Sequence, residues 1–106
     1  MRYRIFKRAR QQLIDIWIYT EQKWGDRQSD QYIDGLYKAF KEISEDSHSW
    51  RKVRGKKFVG VFFFRYEKHF VFFKQLTSGD VGIISVLHEK MNVPHHLLSD
   101  INEGEL

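Results

Sequence analysis

The sequence predicts an α+β domain in which an αα-hairpin packs on a small antiparallel sheet, with a short C-terminal helical segment. Three observations predict it. The chain has 106 residues, the size of one domain. Apolar residues recur at spacings of three and four through the first 43 residues, and from Val53 onward the period changes to two. The expected element order is β-α-α-β-β-β, and residues 1–106 are expected to form one domain.

The first half of the chain predicts a short strand and two helices. Residues 3–5 alternate between apolar and basic side chains, and a helical stripe runs from residue 9 to Trp24. Gly25 then supplies a left-handed cap, and a second stripe covers residues 32–43. Gly35 lies inside this second helix, where glycine costs about 1 kcal/mol relative to alanine. We therefore expect close helix packing or a close partner at Gly35.

The second half predicts three strands joined by short connections, at residues 58–66, 70–76 and 81–87. Such a succession forms an antiparallel meander. Pro94 has the fixed φ that suits the first turn of a helix, and Leu97, Leu98 and Ile101 give the terminal segment an apolar stripe.

Both faces of the first predicted strand of the meander are apolar, whereas a sheet with one solvated face alternates. Two helices cover only one face. The terminal segment, a second protomer in a homodimer, or a different protein could cover the other. One face would carry Phe58, Gly60, Phe62, Phe64 and Tyr66, and the other would carry Val59, Val61 and Phe63.

The charge is unevenly distributed along the chain, which has a net charge of +4. Residues 1–10 hold five basic residues and no acid, and residues 50–74 hold eight basic residues against Glu67 alone. Unbalanced positive potential attracts polyanions and acidic protein surfaces. We expect an anionic or acidic partner to face Arg51, Arg54, Lys56 and Arg65.

The composition excludes several classes of protein. There are no cysteines, which excludes disulfide scaffolds, thiolate zinc sites and cysteine nucleophiles, and fits a reducing compartment such as the cytoplasm. The N-terminus lacks the apolar core of a signal peptide. No apolar run approaches the roughly 20 residues of a membrane helix, so no membrane partner is expected.

The search for chemistry yields no metal site and no cofactor site. His88 begins a stretch that has Asn92 where a zinc helix needs its second histidine, and the adjacent His95 and His96 point in different directions on a helix. A glycine-rich phosphate loop is absent as well. No catalytic residue is therefore expected.

Metal-free RNA cleavage stays open as an alternative. It requires a base, an acid and cations that stabilise the charge on phosphorus. His69, His88, Arg54 and Arg65 are the candidates for these roles. The alternative for the histidines is a structural role, in which neighbouring backbone groups satisfy them.

Several motifs together resemble the ParE toxins of bacterial toxin–antitoxin pairs, within the broader RelE/ParE superfamily. His69-Phe70-Val71-Phe72-Phe73 is similar to the aromatic third-strand signature of the family, and the resemblance extends over nearly the whole chain. The loop after the second helix departs from the family, since it reads Ser47-His48-Ser49-Trp50 instead of containing proline and glycine. The other matching residues are Tyr3, Ile18-Tyr19-Thr20, Trp24-Gly25, Tyr32-Ile33, Leu36, Val86-Leu87-His88, Met91 and Asn92.

The resemblance implies a cytoplasmic toxin of a type II toxin–antitoxin system, neutralised by a cognate antitoxin. The ParE branch inhibits DNA gyrase by binding, whereas the RelE branch cuts messenger RNA on the ribosome. RelE-like nucleases have a tyrosine near the end of the sheet, and this chain has no tyrosine after Tyr66. The ParE branch is therefore preferred, with a RelE-like endoribonuclease as the alternative.

The resemblance also implies an occupant for the second apolar face. An antitoxin helix or strand would bury Val59, Val61 and Phe63, and its acidic residues would meet residues 50–74. His88 and the terminal segment would shape the surface for the target or the antitoxin. Little DNA affinity, and no sequence-specific nucleic-acid binding, is expected of the toxin alone.

Overall fold

A five-stranded mixed sheet with the strand order β1-β5-β4-β3-β2 organises the protein in a computed structural model, which describes residues 2–103. The sheet, the helical hairpin and the short C-terminal helix confirm the predicted α+β class. None of the helices within the described range has the length and apolar content needed to cross a membrane. The elements are β1 Tyr3–Ile5, α1 Lys7–Trp24, α2 Asp26–Glu45, β2 Arg51–Lys52, β3 Phe62–Tyr66, β4 His69–Gln75, β5 Val81–His88 and α3 Val93–Asn102.

The two long helices form the predicted hairpin. Gly25 separates them with a φ of +87°, and its N–H donates to Glu21 O at 2.8 Å. Gly35 lies against the ring of Tyr66, because a Cβ at residue 35 would come within 1.8 Å of Tyr66 Oη. A close approach at Gly35 is therefore present as expected, but the neighbour is the Tyr66 side chain of β3 and not another helix.

The sheet contains the predicted meander together with two strands at its edges. β3, β4 and β5 pair antiparallel, and β1 pairs with β5 in parallel. The helical hairpin connects β1, at one edge of the sheet, to β2, at the other edge. The two-residue strand β2, which the sequence did not predict, pairs with β3 through Arg51↔Phe63 and Lys52↔Phe62.

The predicted strand 58–66 was too long at its N-terminal end, since β3 begins at Phe62. Residues Lys56–Phe58 form a 3₁₀ turn instead. Gly55 and Gly60 flank this turn with φ values of +117° and +82°, in the left-handed region that strands do not use. Apolar alternation alone could not reveal these conformations.

Each face of the sheet has its own apolar core. On the first face the αα-hairpin packs against a cluster that includes Phe40, Val71 and Phe73. On the second face, Leu97 of α3 packs against a cluster that includes Phe72 and Leu87. The terminal segment therefore covers much of the second apolar face, which the two long helices do not reach.

A buried polar network holds α3 in place beside β5. β1 pairs with β5 only as far as Ile83, and beyond that point the Val86 N–H donates to Gln12 Oε1 at 2.7 Å. The Asp100 carboxylate, 4% exposed, accepts from Ser85 Oγ at 2.5 Å, from Gln12 Nε2 at 2.9 Å and from Arg8 Nε at 3.3 Å. One carboxylate thus joins α1, β5 and α3.

We expect Asp100→Ala to lower the free energy of unfolding by about 2–4 kcal/mol, because it leaves two buried side-chain donors without their acceptor. The matched control is Glu103→Gln. Glu103 is exposed and is the other acid near Arg8, with 3.9 Å between its Oε2 and Arg8 Nε. The control should change stability by less than about 0.5 kcal/mol. Urea denaturation measures both, and equal effects would contradict the role assigned to the network.

Candidate partner-binding surface

The second face of the sheet is left partly open as a groove of about 490 Å³. Its floor is aromatic: cross-strand pairing places Phe63 opposite Phe72, and Phe63 lies 6.3 Å from Phe70 between ring centroids. Val93, at the start of α3, also lines the groove, so α3 both covers this face and bounds the open part. The other lining residues are Arg51, Lys52, Val53 and Arg54.

The rim of the groove belongs to a basic segment, residues 51–57, in which five of seven residues are Arg or Lys. All five side chains are exposed. The ion pairs found within residues 2–103 involve Arg4, Arg8 and Arg65 but none of these five. The groove therefore combines an apolar floor with an uncompensated positive rim.

The three residues that alternation placed on one face occupy three different environments. Phe63 is half-buried on the groove floor. Val59 is 85% exposed beside the 3₁₀ turn, whereas Val61 is 6% exposed in the second-face core. Gly60 lies between the two valines with positive φ and breaks the alternation. The structure thus leaves Phe63 and Val59 accessible and buries Val61 within the chain itself.

Arg65 borders the groove but already has partners. Its guanidinium lies 5.4 Å from the centre of the Phe70 ring and pairs with the Glu89 carboxylate. Its Nε also donates to Glu67 O at 2.9 Å. Arg65 is consequently less available to a partner than Arg51, Arg54 or Lys56, which belong to the unpaired basic segment.

His69 and His88 lie together on the first face and form, with Tyr32, a histidine cluster. His69 begins β4 directly opposite His88 of β5, with ring centroids 5.2 Å apart. A hydrogen bond of 2.7 Å joins His69 Nδ1 to Tyr32 Oη of α2, so a side chain, and not neighbouring backbone, satisfies His69. The Lys90 N–H donates to His88 Nδ1 at 3.1 Å.

This environment sets the protonation states of His69 and Tyr32 near neutral pH. Burial, and secondarily the proximity of His88, lowers the pKa of His69 to about 4. Burial raises the pKa of Tyr32 to about 12. His69 is therefore uncharged and Tyr32 keeps its proton at pH 7.

The four candidates for RNA cleavage divide between the two faces. His69 and His88 lie on the helix-covered face, whereas Arg54 lines the groove and Arg65 stacks on its floor. Acid–base chemistry on a phosphate needs these groups around one reacting atom. The arrangement is better suited to binding across the second face.

Sequence reasoning missed several residues that matter at these sites. Lys52 and Phe70 lie in runs whose charge and aromatic content were visible, but only the strand register places them around one groove. Tyr32 and Glu89 contact His69 and Arg65 across long stretches of sequence, and no local pattern signals such contacts.

Comparison with known proteins places the chain among toxins. The family model described as ParE toxin of type II toxin-antitoxin system, parDE, matches residues 3–93. The matched range runs from β1 to the first residue of α3. Toxin ParE1 of Caulobacter vibrioides is 34% identical over 95 residues, which are 90% of this chain and 96% of that protein.

The histidine cluster gives a direct test of the geometry. NMR titration of the His69 ring should show a midpoint near pH 4. Because an unfolded histidine titrates near 6.5, the unfolded chain binds the proton more readily. This residue's contribution to stability is therefore complete above about pH 6.5 and is lost as the pH falls towards 4. His69→Gln should remove that part of the pH dependence, and a ring midpoint near 6.5 would contradict the placement.

Proposed function

The chain belongs to the ParE toxin family of type II toxin–antitoxin systems, and we propose that it inhibits DNA gyrase by binding until a cognate antitoxin neutralises it. Its site of action is then the bacterial cytoplasm. The observation that carries the proposal is the open groove on the second face of the sheet, with its aromatic floor and basic rim.

Inhibition by binding fits the chemistry of the side chains better than turnover does. The candidate acid–base groups and the candidate cations lie on opposite faces of the sheet. His69 is held neutral and bonded to Tyr32, while Glu89 neutralises Arg65. Half-buried aromatic side chains beside exposed arginines in one groove are suited to anchoring a protein partner.

The groove also suits the antitoxin. An amphipathic helix could bury its apolar side against Phe63 and Phe70, in the helix-in-groove mode. Acidic residues beside that apolar stripe would meet Arg51 and Arg54, and such charge complementarity accelerates association. Antitoxin bound there would cover the same surface that we assign to gyrase, which gives neutralisation by occupancy.

Purified gyrase provides the test of the proposed target. We expect the protein to reduce supercoiling of relaxed circular DNA and to trap broken DNA. The same preparation should leave the message intact in a translation reaction. Cut message with unaffected gyrase would contradict the proposal and establish the ribosome-dependent endoribonuclease, with His69, His88, Arg54 and Arg65 as its catalytic candidates.

Charge reversal of the groove rim tests the antitoxin surface. Arg51→Glu/Arg54→Glu should weaken cognate antitoxin binding at least about tenfold at low salt, since it replaces attraction by repulsion. Lys38→Glu/Lys41→Glu changes the net charge equally on exposed positions of α2 and is the matched control. Titration calorimetry measures both variants. Equal affinities for the rim variant and the control would show that the antitoxin binds elsewhere.

A further inference from the structure

The basic segment extends beyond the groove. Arg51, Lys52 and Arg54 line the groove, but Lys56 and Lys57 do not. The sequence contains no acidic residue between Asp46 and Glu67, so neighbouring acids along the chain do not offset the five charges. Crowded like charges repel one another, and an anionic ligand would relieve this repulsion.

The composition of the segment fits a nucleic acid better than the core of a protein interface. Protein interface cores are depleted of lysine and of charged residues generally, whereas interfaces with nucleic acids are much more positive. The apolar side chain of the segment, Val53, packs against the second-face core, as does the adjacent Phe58. Residues 51–57 therefore present charge to solvent and no free apolar anchor.

Hydrogen bonds fix the backbone that carries these charges. The Val53 N–H donates to Val61 O at 2.9 Å, and the Phe58 N–H closes the turn on Gly55 O at 3.1 Å. Pairing of β2 with β3 holds Arg51 and Lys52. A fixed backbone limits the entropy lost when the cations line up with phosphates.

We propose that the basic segment binds the phosphate backbone of duplex DNA without reading its sequence. At most five phosphate contacts would give only weak affinity for free DNA, in the range of non-specific binders. If the proposed function holds, these contacts add to the affinity for gyrase that already holds DNA.

Fluorescence anisotropy with a mixed-sequence 30-base-pair DNA duplex, at several salt concentrations, tests the proposal. The full-length protein should bind with an affinity that falls steeply with salt. Lys56→Gln/Lys57→Gln should reduce the slope of log K against log salt by about 2 and lower affinity at 50 mM salt at least about tenfold. Lys38→Gln/Lys41→Gln removes the same charge from exposed α2 positions and should change affinity less than about twofold.

Three results would overturn the proposal: no duplex binding by the wild type at 25 mM salt, equal losses in the two variants, or tighter binding of polyglutamate of matched charge. The polyglutamate result would indicate an acidic protein surface as the partner of the segment.

The gyrase assay separates this proposal from the proposed function. Duplex binding that depends on Lys56 and Lys57, without gyrase inhibition, would support the phosphate site and contradict gyrase as the target. Full inhibition of gyrase by a Lys56→Gln/Lys57→Gln variant that has lost duplex binding would show that the phosphate contacts do not contribute to the gyrase interaction.

Discussion

The structure depends on one constraint: a small sheet with two apolar faces must be covered twice. β5 is buried along nearly its whole length, so both faces of the sheet must be shielded from water at this strand. The αα-hairpin covers one face, and α3 covers much of the other. Asp100 makes this second cover specific, because its carboxylate joins α3 to α1 and β5 through Arg8, Gln12 and Ser85.

The incomplete reach of the second cover creates the candidate site. α3 packs along β5, while the Phe63 and Phe70 side of the sheet remains open. The chain places its densest positive charge beside this opening, in residues 51–57. On the first face the helical hairpin packs over the sheet, and Tyr32 holds His69 there. This separation of His69 and His88 from Arg54 is the ground on which we propose binding and not phosphate chemistry.

Sequence alone predicted the features that depend on local pattern. Helical spacing located α1 and α2, the cost of Gly35 pointed to its close contact, and two-sided strands required a second cover. Positive φ at Gly55 and Gly60 escaped notice because apolar alternation continues through Val59 and Val61. The hydrogen bonds of Asp100 join residues that lie 15 to 92 positions apart in the sequence, so no local sequence pattern indicates them.

Hydrogen–deuterium exchange of the toxin, free and bound to its antitoxin, tests most directly whether the second face is the partner surface. The account predicts slowed exchange at Phe63 and in residues 51–54 and 70–72, which include the rim and floor of the groove, with α1 unchanged. Slowed exchange confined to the outer side of the αα-hairpin, where Ile14, Ile18 and Trp24 are exposed, would contradict it.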